Sequence, residues 1–304
     1  MKRAVSPVTG QESSAEPHHP VDGAVRARFD DGRWHFQHGP IDLIIGADGD
    51  PAAVDRAIER VWSRFRDVLA ELAEELELLR LPVQEALAAK GPVAQRMVQA
   101  CWPHRERFIT PMAAVAGAVA DELIGFFRAE ERVRRACINN GGDIALHITP
   151  GQSYRVGLYA DLGRIERRET FKLDGDFEVT NDMAVRGVAT SGWRGRSFSL
   201  GIADSVTVLA RSAARADAAA TMVANSVNIE DPAILRRPAC ELKDDTDLGD
   251  RLVTVSVGAL SADRVGEALD AGAAEARRLI RRDEIFAAAL CLQGEVRSVD
   301  ATRA

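Results

Sequence analysis

The sequence lacks the excess of basic residues that a general nucleic-acid binder needs. Its 304 residues contain 39 Lys and Arg against 46 Asp and Glu, which gives a formal net charge of −7. Neutralising the phosphates of a nucleic acid requires a basic face, whereas the arginines here alternate with acids, as in 275-EARRLIRRDE-284. The charge pattern therefore predicts solvated helix faces and no nucleic-acid partner.

Long apolar runs and clustered cysteines are also missing. No stretch reaches the roughly 18 apolar residues of a membrane helix, and the first 23 residues contain neither the apolar core of a signal peptide nor an early cysteine for lipid attachment. The four cysteines are scattered, without the spacing of a zinc or redox motif. These absences predict a cytoplasmic protein without a membrane partner and with reduced thiols.

The order of the predicted elements favours the α+β class, because strands and helices mix without a regular βαβ repeat. Residues 1–22 are polar and are predicted to form a disordered tail, residues 23–298 a single domain, and residues 299–304 a C-terminal tail. The domain is expected to be one compact unit, as a single body or as two lobes.

Hydrophobic spacing and turn residues locate the elements. A hairpin is predicted over 24–47, and Asp50-Pro51 is typical of a helix start. Further helices are predicted at 92–101, at 110–127, after 204–210, and after Ser261. The predicted strands are 135–138, 143–148, 154–160, 170–175, 183–192, 204–210, 251–257 and 285–293.

The stretch 138-INNGGDIAL-146 is the first that carries potential chemistry. Gly141 and Gly142 permit positive φ and let backbone N–H groups face a ligand, and Asn140 and Asp143 flank them with polar groups. A diphosphate or a ribose would fit such a turn. The local pattern alone favours the alternative, a plain β-hairpin, since Asn-Gly is the strongest short-range hairpin signal.

The stretch 188-VATSGWRGRSFSLG-201 is the second. Hydroxyls and free amides at a strand end suit the tail of a cofactor, and a surface loop is the alternative. The turn residues are Thr190, Ser191 and Gly192. Trp193 and Phe198 follow this turn and could stack on a planar ring. Arg194 and Arg196 could pair with phosphate or remain solvated.

The alanine-rich stretch 215-RADAAATMV-223 is the third. On a helix, Asp217 and Thr221 lie one turn apart on the same face. Mg²⁺ prefers oxygen ligands, takes few of them from protein and keeps waters or phosphates in its shell, so this pair is a partial magnesium site. Alternatively, Thr221 bonds back to a helix carbonyl and Asp217 interacts with a positive helix start.

Four stretches occur together in a specific order: TPMAAVAGAVAD, NNGGDIAL, VATSG, and SVTVLA followed by ADAAAT. In this order they resemble the ApbE-like superfamily, and in particular its branch called uncharacterised protein family 0280. The resemblance runs from about residue 30 to residue 297 and implies an ApbE-like fold. In the flavin transferases of this superfamily, the Asp and Thr of the last motif bind Mg²⁺ beside FAD; the matching residues here are Asp217 and Thr221.

The resemblance also assigns the two turns to the FAD pocket. The Gly-Gly-acid turn corresponds to Gly141, Gly142 and Asp143, and the Ala-Thr-Ser-Gly turn to residues 189–192. A backbone carbonyl of segment 114–117 is implied as a further metal ligand, and Asp121 matches a later aspartate of the same motif.

Two departures bear on activity. The transferases carry a His and an Asp-Pro-Arg-Thr-Gly loop before the SVTV strand, whereas this chain has only 197-SFSLGIADSVTV-208; Ala116 also replaces the lysine of a Lys-Gly pair. The resemblance thus implies binding of a flavin- or nucleotide-like phosphorylated ligand with Mg²⁺, as a transferase-like or phosphodiester-cleaving enzyme. The alternatives are an accessory protein that has lost the chemistry, and a factor in the biosynthesis of a specialised C1-carrier cofactor. The oligomeric state stays open, with a homodimer among the options.

Overall fold

The computed structural model describes residues 23–84, 87–158 and 175–300. The predicted N-terminal tail lies outside these ranges, as do residues 301–304 of the predicted C-terminal tail and residues 159–160 and 170–174 of two predicted strands. The described strands are β1 (Val25–Arg28), β2 (Trp34–His38), β3 (Ile41–Gly49), β4 (Val133–Asn140), β5 (Asp143–Ile148), β6 (Ser153–Leu158), β7 (Gly175–Thr180), β8 (Gly187–Ser191), β9 (Ser205–Ala210), β10 (Ile234–Pro238), β11 (Leu252–Val257), β12 (Ala287–Leu292) and β13 (Glu295–Asp300).

One nine-stranded sheet organises the described residues, in the order β1-β2-β3-β4-β5-β8-β9-β12-β13. Every neighbouring pair in it is antiparallel. Two separate hairpin-like pairs, β6-β7 and β10-β11, stand beside it. The antiparallel sheet with helices between distant strands is an α+β arrangement, as predicted.

The helices begin and end where local signals place them. Asp50 accepts a hydrogen bond from the Ala53 amide at 3.0 Å, and Pro51 is the first residue of α1. The apolar residues of α1 repeat at helical spacing and are buried on one side. The helices are α1 (Pro51–Glu74), α2 (Leu76–Leu79), α3 (Pro92–Cys101), α4 (Val115–Arg128), α5 (Ala213–Ser226) and α6 (Ala262–Arg281), with short 3-10 turns at Trp102–His104, Pro111–Ala114 and Ala239–Glu241.

Helices cover one face of the sheet, and β6 and β7 cover part of the other. Helices α1, α3 and α4 pack on β2 to β5, and α5 and α6 pack on β8, β9, β12 and β13, which gives two hydrophobic clusters. A third, smaller cluster joins β6 and β7 to the opposite face of β5 and β8. Ala145 and Leu146 are neighbours on β5 but belong to different clusters, because successive side chains of a strand point to opposite faces.

The structure differs from the sequence prediction in several places, and strand β7 at Gly175–Thr180 lies beyond the predicted strand 170–175 apart from Gly175. The predicted helix 110–127 is a 3-10 turn at Pro111–Ala114 followed by α4. The short strand β10 was not predicted, because its sequence ILRRP carries a proline. Strand β13 was also missed, and it continues to Asp300, so residues 299 and 300 belong to the sheet rather than to a tail.

Helices α4 and α5 cap each other. The Asp121 carboxylate of α4 accepts hydrogen bonds from the backbone N–H groups of Ala213 and Ala214, at 3.0 and 2.8 Å. In return, the Asp217 carboxylate of α5 accepts a bond of 3.0 Å from the Gly117 N–H in the first turn of α4. Each helix thus satisfies orphan N–H groups at the start of the other.

The two helices also cross at very short range. A Cβ atom on Gly117 would lie 2.3 Å from the carbonyl oxygen of Ala213 and 2.7 Å from the nitrogen of Ala214. No side chain fits at this position. The small residues of α4 and α5 therefore allow the two backbones to approach closely.

Membrane-spanning character is not found among the described helices: none combines the length and the apolarity that a bilayer crossing requires.

Candidate functional site

The Asp217 side chain lies where the start of α4 meets α5. Its Oδ2 is held by the Gly117 N–H at 3.0 Å, and the Ala116 N–H also favours its charge. Even so, burial raises the pKa of Asp217 well above its ordinary value, and the neighbouring Asp143 carboxylate raises it further. Asp217 is therefore both a helix cap and half of a like-charged pair.

Asp143 supplies the other carboxylate. It is the first residue of β5, lies on the helix-covered face, and is only 9% exposed. Its Oδ1 is buried, and no hydrogen-bond partner for it exists among the described residues. Burial raises the pKa of Asp143 to about 7, although the Thr190 N–H and the Arg196 charge act in the opposite direction. An orphaned carboxylate oxygen beside a second acid is an unusual arrangement, and it indicates a missing partner.

The Gly-Gly turn is a hairpin and also part of the site. Gly141 and Gly142 connect β4 to β5 with φ of +64° and +116°, and Asn140 pairs with Asp143 in the ladder. The Asn140 side chain turns to the helices and donates a 3.1 Å hydrogen bond to the Ala116 carbonyl oxygen. The local hairpin interpretation is thus confirmed, and the same hairpin carries Asp143 to Asp217.

The Thr-Ser-Gly turn contributes mainly through its backbone. The Thr190 hydroxyl shares a 2.9 Å hydrogen bond with the Thr207 hydroxyl on the adjacent strand, whereas the Thr190 N–H acts on Asp143. Ser191 ends β8 and is partly exposed. Gly192 follows it, with its Cα so near the Asp204 carbonyl oxygen that a Cβ would stand 2.4 Å away.

Thr221 lies one helical turn after Asp217 and is partly exposed. In the part of the chain that the structure describes, its hydroxyl makes no hydrogen bond, in contrast to Ser226, which bonds back to the Met222 carbonyl oxygen at 2.9 Å. The back-bonding alternative therefore does not apply to Thr221, whose oxygen is free to accept a ligand.

Three polar residues near Asp217 were not found by sequence reasoning. Cys101, at the end of α3, is fully buried and donates through its thiol to the Thr110 carbonyl oxygen at 3.3 Å. Burial raises the pKa of this thiol well above its usual range, with Asp217 and Asp247 adding to the effect. The Thr110 hydroxyl in turn bonds to Asp247. No local pattern signals this group, because Asp247 comes from a distant loop.

Asp121 and Trp193 have structural roles rather than the ligand-binding roles considered for them from the sequence. Asp121, which matches a motif aspartate, is used in capping α5. The Trp193 indole N–H donates to the Asp204 carboxylate at 3.2 Å, and the Arg194 guanidinium lies over its ring at 4.8 Å.

The donor set fits a hard cation with few protein ligands. Among the described residues no three His, Cys, Asp or Glu side chains come together as a metal cluster. The Asp143 and Asp217 carboxylates lie close enough to interact, and Thr221 is one helical turn after Asp217. Mg²⁺ typically binds through one or two carboxylates while it keeps waters or substrate phosphates. Residues that could hold such an ion are Asp143, Asp217 and Thr221.

The fold, together with the four motifs that converge between α4, α5 and the β4–β5 hairpin, defines an α+β protein of the ApbE-like class. Residues 26–298 match the family model described as "AbpE bacteria", and the chain belongs to that family.

Curated relatives bear the name "UPF0280 protein". The one from Methanospirillum hungatei is 40% identical over 151 residues, which are 49% of this chain and 57% of the relative. The one from Methanosarcina acetivorans is 32% identical over 219 residues, which are 71% of this chain and 79% of the relative. The match thus spans less than two thirds of the Methanospirillum protein and more than two thirds of the Methanosarcina protein.

Two solved structures are similar over most of the chain. The apo form of the Pseudomonas stutzeri flavinyl transferase ApbE matches with a TM-score of 0.43 and 13% identity, over 91% of this chain and 93% of that chain. The flavin transferase ApbE from Vibrio cholerae matches with a TM-score of 0.38 and 12% identity, over 92% and 97%.

Proposed function

We propose that this protein binds a flavin- or nucleotide-like phosphorylated ligand together with Mg²⁺, and that it cleaves the ligand's phosphodiester or transfers its FMN part. The observation that carries the proposal is the Asp143 carboxylate, which is buried with one oxygen unpartnered and faces a second acid, Asp217. A cation would neutralise the pair and lower both raised pKa values. Membership of the ApbE-like family supports the same ligand class.

In this proposal, Asp143, Asp217 and Thr221 hold the ion. Bound Mg²⁺ supplies positive charge that stabilises the phosphate oxygens during displacement. The chain itself positions these groups: the Gly117 N–H orients Asp217, and the hairpin fixes Asp143. The exposed glycine turn, residues 141–142, leaves room for the ligand's phosphate to approach the backbone.

Calorimetric titration tests the binding. FAD, FMN and AMP are titrated into the protein with and without Mg²⁺, and we expect at least one of them to bind only with the ion. Asp143→Asn, which keeps the side-chain shape but removes the charge, should abolish this dependence. Asp67→Asn, an exposed acid on α1, is the control and should leave it intact. Equal binding with and without Mg²⁺, or no binding at all, would reject the proposal.

A second candidate function is ligand binding without turnover. It is favoured by the missing His and by the shortened segment 197–208, because the transferases carry their Asp-Pro-Arg-Thr-Gly loop at this place. Incubation with FAD and Mg²⁺ separates the two. AMP release, or FMN attached to an acceptor protein, identifies an enzyme, whereas tight binding with neither product identifies an accessory protein.

A further inference from the structure

Arg196 occupies a special place in the connection between β8 and β9. Its guanidinium rests on the glycine turn of the β4–β5 hairpin, so that a Cβ on Gly141 would stand 1.8 Å from Nη2 and 3.0 Å from Cζ. The side chain is exposed, and its charge acts on the buried Asp143 carboxylate. The absence of a side chain on Gly141 is what makes this position available to the guanidinium.

The neighbouring Arg194, unlike Arg196, has polar and aromatic partners close to it in the chain and in space. Its Nε is 3.2 Å from the Asp204 carboxylate, and its guanidinium stacks on Trp193. Asp204 is only 6% exposed and also accepts a bond of 2.6 Å from the Gln293 N–H. Arg194 therefore stabilises the loop to which it belongs. Arg196, by contrast, forms no ion pair or hydrogen bond within the described ranges.

We propose that Arg196 binds the phosphate group of the ligand and thereby selects a phosphate ester over its unphosphorylated parent compound. The proposal rests on the proposed function, whose ligand it specifies. A guanidinium presents several donors in a planar fork that matches two phosphate oxygens. Here that fork lies on an exposed glycine turn and next to the acids that would hold the ion.

Binding of matched ligand pairs tests the proposal in the full-length protein. FMN is compared with riboflavin, and AMP with adenosine, in the presence of Mg²⁺. Arg196→Gln should weaken binding of the phosphorylated member by about tenfold to a hundredfold, since a charge-assisted bond to phosphate is lost. Binding of the unphosphorylated member should stay the same. Arg196→Lys, which keeps the charge and loses the fork, should give a smaller loss.

Titration with Mg²⁺ alone provides a readout that general damage would not produce. Removing a positive charge beside Asp143 should raise the affinity for Mg²⁺, because Arg196 no longer repels the cation. Arg196→Gln is thus expected to act in opposite directions on the anion and on the cation. The control is Arg66→Gln on the exposed face of α1, which should alter neither.

A second pair of variants moves the guanidinium without removing it. Gly141→Ala places a methyl group against Arg196, whereas Gly142→Ala also sits at positive φ but contacts nothing within 4 Å. Gly141→Ala should therefore weaken FMN or AMP binding beyond the effect of Gly142→Ala. This comparison separates displacement of Arg196 from backbone strain.

The outcomes distinguish the two proposals. If the parent protein binds FMN or AMP but Arg196→Gln binds it equally well, or loses the phosphorylated and unphosphorylated members alike, then Arg196 does not select phosphate. If the parent protein binds neither FAD nor any of the four compounds, the proposed function fails and this inference fails with it.

Discussion

At the scale of the residue, Asp143 is the group of the site whose burial is most unfavourable for the stability of the folded protein. Its carboxylate is buried, lacks a partner at Oδ1 and faces Asp217. Burying an incompletely bonded charge is unfavourable, and a folded protein retains such a group when a ligand compensates for it. Stability and ligand binding should therefore respond in opposite directions to its removal.

We predict that Asp143→Asn raises the melting temperature of the metal-free protein, by an amount equivalent to about 1–2 kcal/mol. The reason is that an amide carries no charge and can donate to the neighbouring acid. The same variant should lose the stabilisation that Mg²⁺ gives the parent, which amounts to about 2.7 kcal/mol at a hundred times Kd. Thermal denaturation with and without Mg²⁺ measures both effects. A metal-dependent rise that persists in the variant would contradict the assignment of Asp143.

The residues of the candidate site were partly predictable from the sequence, whereas their contacts were not. Helical spacing placed Asp217 and Thr221 on one face, and the structure agrees. The same spacing gave no sign that Asp217 caps α4, because the capped Gly117 lies far away in the chain. Nor did it show that Arg196 reaches Gly141 or that Asp247 reaches Thr110. Contacts of this kind depend on how elements pack, and no local pattern encodes them.

At the scale of the element, the crossing of α4 and α5 is the tightest constraint near the site. Gly117 of α4 lies against the Ala213 backbone, which cannot give way as a flexible side chain would. Gly125, two turns further along the same helix, has nothing within 4 Å of its would-be Cβ. The pair offers a matched comparison of one substitution in two environments.

We predict that Gly117→Ala destabilises the protein by about 1–3 kcal/mol, since the added methyl group overpacks the crossing. Gly125→Ala should stabilise it by about 0.5–1 kcal/mol, because alanine lowers the entropy cost of forming the helix. Urea denaturation at constant m value measures the difference. A neutral Gly117→Ala would mean that the two helices are further apart than the structure has them.

Elements with a strong local pattern were predicted well, and those without one were missed. The helix α3 was predicted with its observed limits, and α1 with its start at Asp50-Pro51. The strand β13 reads EVRSVD and leaves Val296 57% exposed, so it has no apolar face of its own. It is a strand because β12 pairs with it along its full length. Pairing of this kind is a tertiary effect.

At the scale of the whole molecule, the α+β class followed from the order of elements, whereas the single nine-stranded sheet did not. Its strand order brings β5 beside β8, although β6 and β7 lie between them in sequence.

A buried histidine lies between two of the helical regions that cover this sheet. His104, after α3, is only 3% exposed and lies near the charges of Glu275, Arg278 and Arg282 on and just after α6.

We predict a loss of stability in acid that depends on His104. Burial lowers the pKa of His104 from 6.5 to about 4, and the nearby arginines add to this while Glu275 opposes it. Below pH 6.5 the unfolded chain therefore takes up a proton that the folded chain refuses, so falling pH favours unfolding, by about 3 kcal/mol down to pH 4. His104→Leu should remove this component.

The carboxyls of Asp143 and Asp217 have the opposite effect on the stability of the folded protein over part of the same pH range. Their raised pKa values let the folded protein bind protons first, so they favour folding as the pH falls. The informative quantity is consequently the difference in unfolding free energy between His104→Leu and the parent protein, measured from pH 7 to pH 4. A difference that does not change with pH would show that the pKa of His104 is the same in the folded and the unfolded chain.

The mutual capping of α4 and α5 makes their order of assembly interdependent. The Gly117 N–H of α4 and the Ala213 and Ala214 N–H groups of α5 reach their side-chain acceptors only when the other helix is in place, so each helix stabilises the start of the other. The two should open and close as one cooperative unit. Native-state hydrogen exchange should then give the amides of Gly117, Ala213 and Ala214 a common opening free energy, which Asp121→Asn lowers at both helices together. Since Asp217 belongs to this unit, a ligand bound at Asp217 would slow exchange at the start of α4 and of α5 alike.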